Sequence, residues 1–175
     1  MDLSEKVTPS QMLKEESEQG IIALSMYVAP KYKTPKHFHE YFTENFEVVK
    51  GKITFIAGNE RIILQSGGKI SVPAGTIHAF QNDENTSAIV KVSVSDHQDD
   101  FVAAFSIYHG LIRDGLVDKK MHPKNFGDLA LFLKLTNSRM PGFAKYVVEP
   151  FFLRAAAKAE ASGRLNELKN QYAIS

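Results

Sequence analysis

The sequence predicts a mainly β fold, a sandwich or barrel of short antiparallel strands, with an α-helical extension behind it. Three observations predict it. Over 21–94, β-branched and aromatic runs of four to eight residues recur between clusters of Gly, Pro, Asn and Asp. After Asp96 the hydrophobic period changes from two to about 3.6 residues. No Gly/Ser-rich linker divides the two halves, so the helices are expected to pack on the strands and not to swing as a separate module. The organisation expected is a β barrel with a short N-terminal arm over 1–97, and a helical extension over 98–175 packed on the barrel or forming a dimer interface.

In the arm, Thr8 and Pro9 read as an N-cap and first helical residue with Gly20 as a stop, on a stretch too polar to bury much. Strands are predicted near 21–28, 36–40, 44–50, 52–57, 60–64, 69–72, 77–81 and 86–94. Their connectors carry residues suited to turns, among them Ala29-Pro30, Gly51, Gly58-Asn59, Gly67-Gly68 and Pro73-Ala74-Gly75. Phe101, Phe105, Tyr108 and Ile112 then fall on one helical face, with Gly115 placed to stop the helix. A second helix is predicted over 125–136, where Leu129, Leu131, Phe132, Leu133 and Leu135 spread around more than one face and imply burial on two sides. A third over 141–161 and a fourth over 165–172 complete the chain. The phenylalanine-rich stretch 143–153 is expected to pack on the barrel, with a surface for a partner as the competing reading.

At 175 residues the chain has the length of one domain, able to bury about 70% of its unfolded surface. A net charge of +1 supplies no long-range field for nucleic acid or an anionic membrane surface, so neither is an expected partner. No uncharged apolar stretch approaches the ~20 residues of a membrane-spanning helix. The first twenty residues are acidic and polar where a secretory leader is basic and then apolar. Cysteine is absent, which removes disulfides, thiol nucleophiles and cysteine-ligated metals and fits a reducing compartment. The expected location is cytoplasmic, and any metal must be held by His, Asp or Glu.

Four candidate metal ligands fall in the β-rich half: His37, His39, Glu44 and His78. At positions i and i+2 of a strand, His37 and His39 point to the same side. Glu44 is an odd number of residues beyond His39, so it reaches that side only if the chain turns within Tyr41-Phe42-Thr43. His78 follows a later turn and is the long-range ligand that closes a cage. Glu40 and Glu47 compete with Glu44 for the carboxylate role. His97, His109 and His122 fall at or beyond the end of the strand region and read as solvated or capping histidines. Phe46 and Val48 share the strand parity of Glu44, and Phe80 that of His78, so these three are expected to line an apolar pocket. Plain barrel core is the competing reading for each of them.

The spacing resembles both signature motifs of the cupin superfamily. The first is His37-x-His39, four residues, Glu44, six residues, Gly51; the second is Gly67, five residues, Pro73-x-Gly75, two residues, His78, three residues, Asn82. The two Gly and one Pro of the second motif alone coincide at about 2 in 10,000 start points at average usage. One position departs, since the family usually has Gly where this chain has Lys31, which touches the preceding turn and not the ligands. The resemblance covers about residues 20–95. It implies a double-stranded β-helix, a jelly-roll barrel with a pocket at one mouth, binding one divalent metal through His37, His39, Glu44 and His78. Gly51, Gly67, Gly75, Pro73 and Asn82 read as structural turn residues.

Three neutral imidazoles and one carboxylate suit Fe, Mn, Ni, Co, Cu or Zn and leave positions open on a six-coordinate ion, whereas Mg or Ca would take more oxygen ligands. Two functions are expected to compete. One is a metal-dependent oxygenase or isomerase of a small organic molecule, for which Tyr27, Tyr41 and Glu47 are the candidate acids and bases. The other is a non-catalytic module that binds a small metabolite. A homodimer is expected in either case, because the tail carries more apolar helix than one small barrel can cover.

Overall fold

The computed structural model describes residues 14–16, 21–119 and 121–172. Nine strands come first: β1 (Lys14–Glu16), β2 (Ile22–Val28), β3 (Phe38–His39), β4 (Glu44–Lys50), β5 (Lys52–Ala57), β6 (Glu60–Gln65), β7 (Lys69–Val72), β8 (His78–Gln81) and β9 (Ala88–Val94). Helices α1 (Gln98–Arg113) and α2 (Phe126–Leu135), strand β10 (Ser138–Arg139), and helices α3 (Ala144–Val147), α4 (Glu149–Ala161) and α5 (Arg164–Tyr172) follow. Helix and strand are present in comparable amounts, so "mainly β" describes the first half and not the whole chain. The helix expected from Thr8-Pro9 lies mostly outside the described residues, and within its span residues 14–16 are strand, paired antiparallel with β2.

The strands form an antiparallel five-stranded sheet in the order β1-β2-β9-β4-β7 and a three-stranded sheet in the order β6-β5-β8. Alternation decides which side faces in. Leu24, Met26 and Val28 of β2, Phe46 and Val48 of β4, and Val90, Val92 and Val94 of β9 are buried, while their odd neighbours are half-exposed. They meet Ile53 and Phe55 of the smaller sheet in one apolar core, with Phe46 and Phe55 5.0 Å apart between ring centroids. Each such side chain contributes roughly 1.5–3 kcal/mol by leaving water.

The two sheets do not join into the closed barrel that the resemblance implies. Between residues 33–37 and β8 the pairing is reduced to isolated bridges, Lys33 with Gln81 and His37 with His78. Pro35 lies between them and has no N–H to continue the ladder. One turn follows its sequence signal closely, and another forms without one. Gly51 has φ +89°, and a Cβ there would lie 2.9 Å from that of Ala88, so both conformation and space require glycine. Lys31, at the position where the motif usually has glycine, holds φ +62°, so the left-handed turn is kept without the residue that favours it.

Helix α1 joins this core to a second one. Phe101 is buried among the strands against Phe42, ring centroids 6.0 Å apart, and Phe105 bridges from Phe101 to Phe132 of α2. Ala104, Ile107 and Leu111 pack instead against α2, α4 and α5. The buried positions are therefore 101, 104, 106, 107, 110 and 111, and Tyr108 and Ile112 are only half-buried; the single stripe expected was displaced because the helix is covered on two sides. Asn125 caps α2 by accepting hydrogen bonds from the N–H groups of Gly127 and Asp128. The expected third helix is broken at Val148, ahead of Pro150 in the first turn of α4. Its aromatic stretch does not pack on the strands: Phe143, Tyr146 and Phe151 are 78%, 75% and 61% exposed. Among the described residues no helix is long and apolar enough to cross a membrane.

Candidate metal centre

The four sequence-predicted ligands come together from three elements. His37 precedes the two-residue strand β3, which ends in His39; the chain turns through 40–43, and Glu44 opens β4. That turn resolves the parity problem, because it re-aims the chain before Glu44, whose face it shares with buried Phe46 and Val48. His78 opens β8 after the Pro73-Ala74-Gly75 turn, where Gly75 has φ +78° and its N–H donates to the His39 carbonyl at 2.7 Å. One donor atom from each of His37, His39, Glu44 and His78 lies within 4.8 Å of every other.

His39, Glu44 and His78 are buried and His37 is half-buried. Oε2 of Glu44 lies 3.1 Å from Nε2 of His39 and 3.0 Å from Nε2 of His78. Those are the separations of neighbouring donors at right angles around an ion bonded at about 2.1 Å. The outer nitrogens fix the tautomers of two rings. Nδ1–H of His37 donates to the Pro35 carbonyl and Nδ1–H of His78 to the Thr76 carbonyl, both at 2.9 Å. Their neutral forms therefore turn an Nε2 lone pair toward the centre, as metal-ligating histidines do. With that lone pair facing a carboxylate oxygen at 3.0 Å, two acceptors meet, an arrangement that a proton or a cation between them stabilises. The donor set thus fits a divalent transition metal.

The electrostatics are those of a site that favours a cation. Burial pushes the Glu44 carboxyl up, but hydrogen bonds and charge from His39 and His78 overcome it and hold it at about 2. Burial, then the charge of His78, pushes His37 down to about 4, so this ring is neutral at neutral pH and available as a ligand. Burial lowers His78 as well, yet the hydrogen bond and charge of Glu44 win and its pKa is raised.

The competing carboxylates are engaged elsewhere. Glu40 pairs with Arg139 at 2.9 Å and Glu47 with Lys69 at 3.3 Å. Tyr41 is 61% exposed and packs against His97, and Tyr27 is on the face of β2 opposite the buried residues. Of the three expected pocket residues, Phe46 touches the site, its ring 6.4 Å from that of His78. Val48 is fully buried in the core, and Phe80 packs on Phe46, Phe55 and Tyr32. His97 and His122 are exposed and His109 is half-buried, all three outside the cluster. Asn82 is a structural residue, its Nδ2 donating to the carbonyls of Val28 and Thr86 and its Oδ1 accepting from the N–H of Glu84.

Two contributors escape a reading of motifs. The carbonyls that orient His37 and His78 each come from the residue two positions earlier, Pro35 and Thr76, so a shared local pattern was present in the chain without a side chain to mark it. Phe42 stacks on His39 at 4.6 Å between ring centroids with 27° between planes. Nothing in strand parity announces that contact.

Known proteins share parts of this chain. Over 58 residues, 33% of this chain, the sequence is 36% identical to quercetin 2,3-dioxygenase of Bacillus subtilis, and the chain covers 17% of that protein. It is 35% identical over 89 residues to the probable oxidoreductase patJ of Aspergillus clavatus, covering 47% of this chain and 28% of the relative. The chain therefore spans less than a third of the length of these curated relatives. Among solved structures, TT1209 from Thermus thermophilus aligns with a TM-score of 0.41 and 22% identity over 49% of this chain and 84% of that one. The cupin domain family matches residues 24–95, a segment that includes all four converging side chains, and this match supports a cupin domain over that part of the chain.

Proposed function

We propose that His37, His39, Glu44 and His78 hold one divalent transition metal, from Fe, Mn, Ni, Co, Cu or Zn, and that the chain is a metal-dependent dioxygenase of a small organic molecule. The observation that carries the reading is the convergence of four donors with the outer nitrogens of His37 and His78 tied to carbonyls. The relatives named a dioxygenase and a probable oxidoreductase support the choice of chemistry. Bound in this cage, a metal with open positions would bring an enolate or carbonyl oxygen and dioxygen together. The chain's own residues do the rest. Glu44 stays ionised and offsets the ion's charge, and the ring of Phe46 beside His78 excludes water and offers an apolar face to the substrate. Both atoms of dioxygen enter the product, so no external reductant is needed.

The test is metal analysis of the purified protein, then reconstitution of the metal-free form with each ion and measurement of oxygen uptake with a flavonol and with small enolisable acids. One bound ion per chain and metal-dependent uptake are expected. Stoichiometric metal without uptake on any of them favours the small-metabolite binding module instead, and no retained metal sinks both.

In this reading residues 1–97 supply the site and 98–175 flank it, in a cytoplasmic homodimer. The dimer is supported by the exposed rings of Phe143, Tyr146 and Phe151, which leave roughly 400 Å² of aromatic surface in water. That is about half of one side of a standard interface, and exposed Val147 and Leu153 extend it. Sedimentation of the protein and of a Phe143→Ser/Phe151→Ser variant checks it, with a dimer expected for the first and a monomer for the second.

A further inference from the structure

The helical half reaches back to the strand that carries the ligands. Strand β10 pairs antiparallel with β3, Ser138 opposite His39 and Arg139 opposite Phe38. Beside it, Oδ1 of Asn137 accepts a hydrogen bond from the N–H of Glu40. Arg139 donates from Nε to Glu40 at 2.9 Å and from Nη1 to Glu149 of α4 at 2.6 Å. Lys145 of α3 closes the group, 3.6 Å from Glu40 and 5.3 Å from the centre of the Phe38 ring. The base of this arm is fixed in its turn, because Thr136 is buried and its hydroxyl donates to the Phe132 carbonyl at the end of α2.

His39 is the ligand that needs such support. The rings of His37 and His78 are oriented through Nδ1 by the carbonyls of Pro35 and Thr76, whereas Nδ1 of His39 is buried with no hydrogen-bond partner among the described residues. No hydrogen bond on its outer nitrogen aims that ring. Its direction is set by its backbone and by the stack on Phe42. The backbone is gripped from two sides, by the N–H of Gly75 on the His39 carbonyl and by β10 along the opposite edge.

We propose that Asn137 and Arg139 are positioning residues for the metal centre: they clamp residues 38–40 from outside and hold the His39 ring at the ligand position. The helical half is thereby a part of the site. The inference rests on the metal reading given above, and deepens it by assigning a role to residues far from the cupin motifs.

The test is Co(II) titration of the metal-free full chain, followed by the visible absorption of the bound ion. Three variants are compared with wild type. Arg139→Ala removes both ion pairs. Asn137→Gly removes the acceptor for the Glu40 N–H while keeping a residue at ease with the φ of +48° found there. Arg164→Ala breaks the pair with buried Asp128, 2.9 Å away in the helical core, and so perturbs the helices without touching β3. Arg139→Ala and Asn137→Gly are expected to weaken Co(II) binding by about 10–100-fold, the usual range for outer-shell partners, and to shift its absorption, with partial recovery in Arg139→Lys. Arg164→Ala is expected to lower the melting temperature and leave affinity and spectrum as in wild type. If Arg139→Ala and Asn137→Gly bind Co(II) with wild-type affinity and spectrum, or if Arg164→Ala weakens binding equally, the clamp is overturned while the metal reading stands. A wild-type chain that binds no Co(II) overturns both.

Discussion

His37 and His78 are paired backbone to backbone: the N–H of His37 donates to the carbonyl of His78 at 3.0 Å, and the N–H of His78 to the carbonyl of His37 at 2.7 Å. Residues directly opposite in an antiparallel pair put their side chains on the same side, and the two rings are 4.3 Å apart between centroids. One short bridge thus brings together the halves of a site whose members are remote in the chain. The bridge is set by main-chain bonds, so it does not need a metal to form.

From that preformed geometry, loss of any one donor should weaken metal binding without unfolding the chain. Glu44→Gln is the sharpest case, since it keeps shape and removes the only carboxylate of the cluster. A loss of more than about 100-fold in affinity is expected, beyond the range for outer-shell partners. Equilibrium dialysis against a chelator series measures it, with circular dichroism as the check on folding. Wild-type affinity in Glu44→Gln would remove Glu44 from the ligand set.

The metal-free protein should lose stability in acid in two stages. His37 titrates at about 4 in the folded chain against 6.5 ordinarily. Between those values the unfolded chain takes up a proton that the folded site refuses, so stability falls as pH drops from 6.5 to 4. Glu44, held at about 2 against 4.5, contributes stability above 4.5 that is lost as pH falls toward 2. His78 acts in the opposite sense: its raised pKa adds stability below 6.5 that disappears as pH rises through the raised value. Urea unfolding at a series of pH values should show a shallower slope between 6.5 and 4 in His37→Asn. An unchanged slope would mean that His37 is not the group responsible.

How far the sequence reveals this molecule varies with the kind of physics involved. Period-two alternation and turn residues place Glu44–Lys50, Lys52–Ala57 and Lys69–Val72 at the bounds observed, because a half-buried strand writes its inner face into every second residue. Motif spacing likewise brings His37, His39, Glu44 and His78 to one point. Helix α1 was less legible: covered by strands at Phe101 and by helices at Ala104, Ile107 and Leu111, it has no single stripe to read. The pairing of Ser138 with His39 and the ion pairs of Arg139 with Glu40 and Glu149 were not legible at all. A two-residue strand carries no period, and a surface-type Arg or Glu in the sequence does not name its partner.

Phe101 links the strand core to the helices and should be the costliest aromatic to truncate. It is 2% exposed, lies edge-on to Phe42 and contacts Phe105, so Phe101→Ala removes a large buried volume at a junction that cannot collapse from either side. A destabilisation of about 3–5 kcal/mol is expected. Because Phe42 also stacks on His39, the variant should weaken metal binding as well. Denaturant unfolding of the metal-free and metal-loaded forms checks both, and a loss below about 1 kcal/mol would show that the junction repacks.

Gly110 lies inside α1, where alanine would ordinarily add about 1 kcal/mol of helix stability. Here the sign should reverse. A Cβ on residue 110 would fall 2.1 Å from Cδ1 of Tyr172 and 2.4 Å from its Cγ, so the ring of α5 occupies the space that the missing side chain leaves. The ring cannot swing aside freely. Its hydroxyl donates to Asp114 at 2.8 Å and the Arg113 guanidinium lies over its face, while Leu168, one turn earlier in α5, is fully buried in the helical core. Gly110→Ala must therefore push α5 away and open the core at Leu168, an overpacking cost of about 1–3 kcal/mol that outweighs the gain in propensity. Hydrogen exchange should show lost protection in α5 first, with strands β2, β4 and β9 unchanged. Replacing Tyr172 by Ala in the Gly110→Ala background relieves the clash, so the two changes together should cost less than their separate sum, a coupling that a double-mutant cycle reads directly. Additive costs would show that α5 does not rest on the glycine.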